Sequence, residues 1–90
     1  MTNPKIVRKK VLQYLYDNRS RDWIETPDLI NAIGESEEVL DTEIKYLEGK
    51  YLLEIVGSVM SGKQFMSFIG VKITSNGIDT VEDPDEFRRL

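Results

Sequence analysis

The chain predicts an α+β fold, a three-helix core followed by a β-hairpin and a short C-terminal helix. Two observations carry this. Helix-start signals fall just ahead of apolar stretches with helical spacing, at Asn3-Pro4, Thr26-Pro27-Asp28 and Ser36-Glu37-Glu38, where a side-chain acceptor or an N1 proline suits the first turn. Beyond Gly49-Lys50 the spacing changes from helical to alternating, the signature of half-buried strands. Ninety residues, 40% hydrophobic and 31% charged, suit one globular domain over residues 1–90. A chain of that size buries only ~60–65% of its unfolded surface. No internal repeat, low-complexity tract or dividing linker interrupts it.

The first helix starts at Asn3-Pro4 and presents Val7, Val11, Tyr14 and Leu15 on one face, with Leu12 at its edge. Asn18-Arg19-Ser20 ends it. Residues 22–25 are too few for a helix and read as a brief extended segment. The second helix, Pro27 to Ile33, offers Leu29, Ile30 and Ile33 to a core, and Gly34 supplies the left-handed residue that stops it. In the third helix Leu40, Ile44, Leu47 and Tyr51 repeat at intervals of four, three and four residues, a narrow buried stripe. The opposite face carries Glu38, Asp41, Thr42, Lys45 and Tyr46. Leu53 to Met60 then alternates as a strand, Ser61-Gly62-Lys63 turns, and Phe65 to Ile73 returns. Residues 74–77 open the last helical segment, Asp83-Pro84 breaks it, and residues 85–90 are long enough for one more turn.

Charge is distributed unevenly. Residues 1–21 hold six basic residues (Lys5, Arg8, Lys9, Lys10, Arg19, Arg21) against Asp17, a net of +5, while the remainder holds six basic and 15 acidic residues, a net of −9. One basic edge can attract phosphate despite an overall charge of −4; the alternative is mutual pairing across a small solvated surface. Within residues 35–50, six acidic side chains stand against Lys45 and Lys50.

Several function classes find little support. With no histidine and no cysteine, the chain lacks a proton shuttle at neutral pH and a thiol nucleophile, so a non-enzyme is expected. A Ser61–Lys63 pair would sit in a turn without an oxyanion partner. The glycines form no phosphate-binding loop. Glu37, Glu38 and Asp41 have oxygen ligands for a hard cation, yet on one exposed helix they read as a solvated face, so neither metal nor cofactor is expected. No apolar run approaches the ~20 residues of a membrane span, and the expected location is cytoplasmic.

Residues 26–53 read as a helix-turn-helix, and three stretches resemble the winged helix-turn-helix domains of bacterial and archaeal transcriptional regulators. They are Ile24 to Leu53, with Glu43-Ile44-Lys45-Tyr46-Leu47-Glu48-Gly49-Lys50-Tyr51-Leu52 at the helix end; Lys72-Ile73-Thr74-Ser75-Asn76-Gly77-Ile78 after the hairpin; and Val11-Leu12-Gln13-Tyr14-Leu15 in the first helix. The resemblance implies an α+β winged helix-turn-helix with a β-hairpin wing, binding duplex DNA in transcription regulation, often as a homodimer. It places Thr42, Lys45 and Tyr46 toward bases. The amides at Thr26 and Ser36 would meet phosphate at helix N-termini, and Lys63 and Gln64 at the wing tip would reach the backbone or minor groove. Lys5 and Lys9 would hold phosphate at the flank, or form an ordinary soluble helix face. Glu38 and Asp41 depart from the pattern, since carboxylates near phosphates oppose binding.

The hairpin invites a second reading. Its returning strand is apolar on both sides, which would leave Val56, Met60, Met66 and Phe68 uncovered, and such patches mark interfaces. Either Phe87 and Leu90 cover them within the chain, or a second copy or another protein does. The alternative function is therefore a protein–protein interaction module, docking its acidic third helix on a partner with a basic surface and anchoring through the hairpin.

Overall fold

In the computed structural model, residues 3–58, 62 and 64–90 are described. Helix α1 (Pro4–Asp17) is followed by a short strand β1 (Ile24–Glu25), the paired helices α2 (Thr26–Ile33) and α3 (Glu37–Gly49), strands β2 (Leu53–Val56) and β3 (Gly70–Ile73), and helices α4 (Ser75–Glu82) and α5 (Pro84–Arg88). The three strands form one antiparallel sheet in the order β1-β3-β2. Leu53 faces Ile73 and Val56 faces Gly70, while Ile24 on the other flank pairs with Val71. This is a winged helix-turn-helix.

Local chemistry explains the helix ends. Asn3 Oδ1 accepts the Lys5 amide at 2.9 Å and Ser36 Oγ accepts that of Val39 at 3.3 Å, each relieving an orphan donor. Gly34 takes φ 76° and returns its N–H to the Ile30 carbonyl, which lets α3 start within three residues. The start of α2 is different: Glu25 provides no side-chain cap, and the Thr26 amide instead joins the sheet by donating to Ile69 O at 3.0 Å. At α4, Thr74 Oγ1 accepts from the Gly77 amide and donates to Tyr51 O.

The core draws on every layer. Val7, Val11, Leu12 and Leu15 of α1, Leu29 and Ile33 of α2, and Leu40, Ile44 and Leu47 of α3 are buried with Ile24, Leu53 and Val71 of the sheet. A side chain at Gly77 would press on the Leu52 carbonyl, so only glycine lets α4 approach the residue ahead of β2 that closely.

Two expectations fail. Tyr51 does not extend the α3 stripe; it lies outside the helix, 74% exposed, with φ 61°. The Leu52 amide donates to Leu47 O and the Tyr51 amide to Glu48 O. That is a Schellman ending with tyrosine in the left-handed position usually given to glycine, and it turns the side chain away from the core. The returning strand is also shorter than its alternation suggests. Residues 65–69 lie outside β3, and Met66 adopts φ 54°. That turn puts Met66 and Phe68 in the core, at 0% and 4% exposure, in place of the uncovered hairpin face expected of them.

Candidate nucleic-acid interface

The surface that a duplex would meet in this fold is the outward face of α3, with the wing beside it. Thr42 and Lys45 are exposed there, and Ser36 is exposed at the helix start. Thr42 Oγ1 donates to the Glu38 carbonyl at 3.1 Å, leaving its lone pairs outward. Lys45 Nζ lies 3.0 Å from Asp41 Oδ2. Tyr46 is held: the Arg8 guanidinium from α1 stacks 3.7 Å from its ring centroid, and Lys50 Nζ lies 5.7 Å away on the same ring. Its ring is thereby drawn to the α1 edge of the face.

The acidity of the α3 sequence does not all reach solvent. Glu43 is 5% exposed, and its carboxylate accepts from Arg8 Nε at 2.6 Å. Asp41 is 6% exposed; its Oδ1 accepts the Met66 amide at 3.1 Å while Oδ2 faces Lys45. Two of the six carboxylates between 35 and 50 are thus engaged inside the fold. Asp41 was expected on the face toward DNA, and the buried Met66 amide, which needs an acceptor, turns it inward. For the same reason Glu37, Glu38 and Asp41 do not converge, and no group of three or more potential metal ligands is gathered among the described residues.

Thr26 is not the phosphate contact the sequence suggested. Its amide is used by Ile69 O, and its hydroxyl, on a residue 4% exposed, reaches the carbonyl oxygens of Phe68 and Ile69, each at 2.9 Å. Thr26 and Asp41, one from each helix of the helix-turn-helix, hold the segment through which the wing returns. No motif in the sequence marks either residue for this inward role. The one available signal is a run, residues 65–69, whose buried backbone must find polar partners somewhere.

At the wing, Gln64 is exposed, whereas Lys63 lies outside the described residues, as does Met60 of the expected interface. The basic run of residues 1–21 is not one edge. Lys5 is exposed on the first turn of α1. Arg8 is bound to Glu43. Lys9 and Lys10 border a groove with Ala32, Ile33 and Phe87, and Arg21 at the far end of the helix pairs with Asp28 at 3.0 Å. Linear charge count cannot see that a helix of 14 residues spreads its ends over ~21 Å.

The remaining expected interface residues belong to the chain's own packing. Val56 is half-buried in β2. Phe87 packs against the core from α5, and Leu90 is 8% exposed, bordering a surface groove with Tyr46, Lys50 and Leu52.

The winged helix-turn-helix with its exposed third helix is a fold shared with solved structures of a known transcription regulator. No family model and no curated protein matches the sequence. Solved structures do match it, among them crystal structures of MepR, a transcription regulator of the Staphylococcus aureus multidrug efflux pump MepA. MepR in its DNA-binding conformation aligns with a TM-score of 0.69 at 21% identity, covering 99% of this chain and 59% of that one. A second MepR structure aligns at 0.66 and 22%, covering 92% and 54%, and a point mutant at 0.66 and 25%, covering 99% and 57%. The chain therefore spans little more than half the length of these proteins. No described helix is long and apolar enough to cross a membrane.

Proposed function

We propose that the domain binds duplex DNA in transcriptional control, with α3 in the major groove and the wing on the flanking backbone. The observation that carries the reading is the outward face of α3. Asp41 and Glu43 are drawn into internal pairings, and Thr42 and Lys45 stand exposed on the helix that this fold offers to a groove. The likeness to MepR in a DNA-binding conformation, over 99% of this chain, supports the same assignment. Thr42 and Lys45 are the base-facing candidates, with Glu38 beside them as an acceptor suited to a cytosine amino group. Ser36 and Gln64 flank them toward phosphate. Two copies reading two half-sites about one helical turn apart complete the reading.

The interaction-module alternative required an apolar anchor on the hairpin. Of Val56, Met60, Met66 and Phe68, which would have formed it, Met66 and Phe68 lie in the core and Val56 is half-buried, and no observation favours that reading.

The test is fluorescence anisotropy with a random-sequence duplex at ~50 and ~200 mM salt. Each phosphate contact steepens the log–log salt slope by ~0.9, so about four contacts cost on the order of a hundredfold in affinity over that range. A steep loss is the expected result. No binding at the lower salt would overturn the proposal. Sedimentation with a two-half-site duplex measures the dimer.

A further inference from the structure

Asp41 stands where the outward face of α3 meets the base of the wing. One of its oxygens accepts the Met66 amide, a buried donor on a non-glycine residue at φ 54°; the other faces the Lys45 ammonium at 3.0 Å. Without an acceptor there, the Met66 amide would be an orphan inside the core, and the left-handed turn that buries Met66 and Phe68 would lose its tether. The Lys45 contact is of another kind. That side chain is 55% exposed, so the pair is weak, and an ammonium with three donors can exchange a carboxylate for an acceptor on DNA.

We propose that Asp41 is a positioning residue for DNA recognition, fixing the wing against α3 through the Met66 amide and holding Lys45 in a pair that an acceptor on DNA displaces. The proposal rests on the DNA-binding reading above. The two roles need different chemistry. Fixing the wing requires an acceptor oxygen, charged or not, whereas restraining Lys45 requires the charge.

Asparagine keeps the first role and removes the second; alanine removes both. Asp41→Asn is expected to bind a duplex roughly three- to tenfold more tightly at ~50 mM salt, because Lys45 no longer has to leave a carboxylate before it meets DNA. Asp41→Ala removes the same negative charge, yet is expected to bind more weakly than the native domain because the wing is no longer fixed. Lys45→Gln added to Asp41→Asn should abolish the gain. Amide hydrogen exchange at Met66, followed by NMR without DNA, should be slow in the native domain and in Asp41→Asn. It should be fast in Asp41→Ala, measured below that variant's melting temperature.

Alanine and asparagine variants that bind alike would overturn the wing-fixing role, and so would fast exchange at Met66 in the native domain. An asparagine variant with unchanged affinity would overturn the restraint on Lys45. Should the native domain not bind DNA at all, the functional reading falls and the DNA role of Asp41 falls with it. The Met66 exchange rates still decide whether the carboxylate tethers the wing. Because asparagine preserves the tether, the test does not hang on whether the alanine variant folds.

Discussion

Arg8 Nε donates to Glu43 Oε1 at 2.6 Å, and the same guanidinium stacks on Tyr46 one turn further along α3. One side chain from the first helix therefore neutralises a buried acid and fixes an aromatic ring at the edge of the proposed recognition face. Removing Arg8 leaves Glu43 charged and enclosed. Arg8→Ala is expected to cost roughly 3 kcal/mol, the lower end for breaking a buried pair, since Arg8 retains some exposure. Arg8→Met combined with Glu43→Leu should restore most of it, because an apolar pair of similar volume carries no desolvation cost. Urea denaturation of the two variants checks both values.

Gly77 and Gly49 make opposite demands. A Cβ at Gly77 would press on the Leu52 carbonyl, a backbone atom that cannot rotate away, while one at Gly49 meets nothing within 4 Å. Gly77→Ala should destabilise by about 1–3 kcal/mol through overpacking. Gly49→Ala, at the last residue of α3, should be neutral or stabilise by up to ~1 kcal/mol. Thermal melts of the two variants side by side would show the difference in sign.

Thr26 provides a contrast between stability and binding. Thr26→Val keeps the shape and removes the hydroxyl that reaches Phe68 O and Ile69 O. A loss of about 1–2 kcal/mol is expected from the unsatisfied carbonyl. If Thr26 has no part in phosphate contact, the salt slope of duplex binding should stay at the native value. A slope shallower by ~0.9 would restore Thr26 to the interface.

Tyr16 links α1 to α4 by donating to Glu82 Oε2 at 2.7 Å. That hydrogen bond is the main reason the phenol titrates above its ordinary 10.0. The folded value exceeds the unfolded one, so the contribution to stability is complete below pH 10 and disappears as pH rises through the raised value. Absorbance titration at 295 nm, taken as the difference from Tyr16→Phe, should show a phenol ionising late. Glu82→Gln should bring it back toward the ordinary range.

The elements whose causes are local could be read from the sequence. Asn3-Pro4, Ser36 and Gly34 fix helix ends through contacts within a few residues, and the spacing of Leu40, Ile44 and Leu47 announces the buried side of α3. Tyr51 was misassigned because its spacing continues the stripe, whereas the Leu52 and Tyr51 amides close the helix before it is reached. Residues 65–69 were misassigned because alternation looks the same whether the backbone pairs as a strand or turns at Met66. The site was less legible than the fold. The exposure of Thr42, Lys45 and Gln64 follows from position alone. That Asp41, Glu43 and Thr26 turn inward depends on partners at 66, 8 and 69, separations at which a single sequence carries no signal.

The sheet order gives the molecule a mechanical character. Strand β3 is central, and its neighbours lie on either side of the helix-turn-helix in sequence: β1 directly precedes α2 and β2 directly follows α3. The two helices are thus a loop whose ends are clasped by a strand from further along the chain. Force or heat that peels β3 away opens that loop, so α3 cannot keep its angle once the wing's returning strand has let go. A peptide cut at Ile24 and Leu53 would carry both helices and no clasp. The working unit is the closed ring.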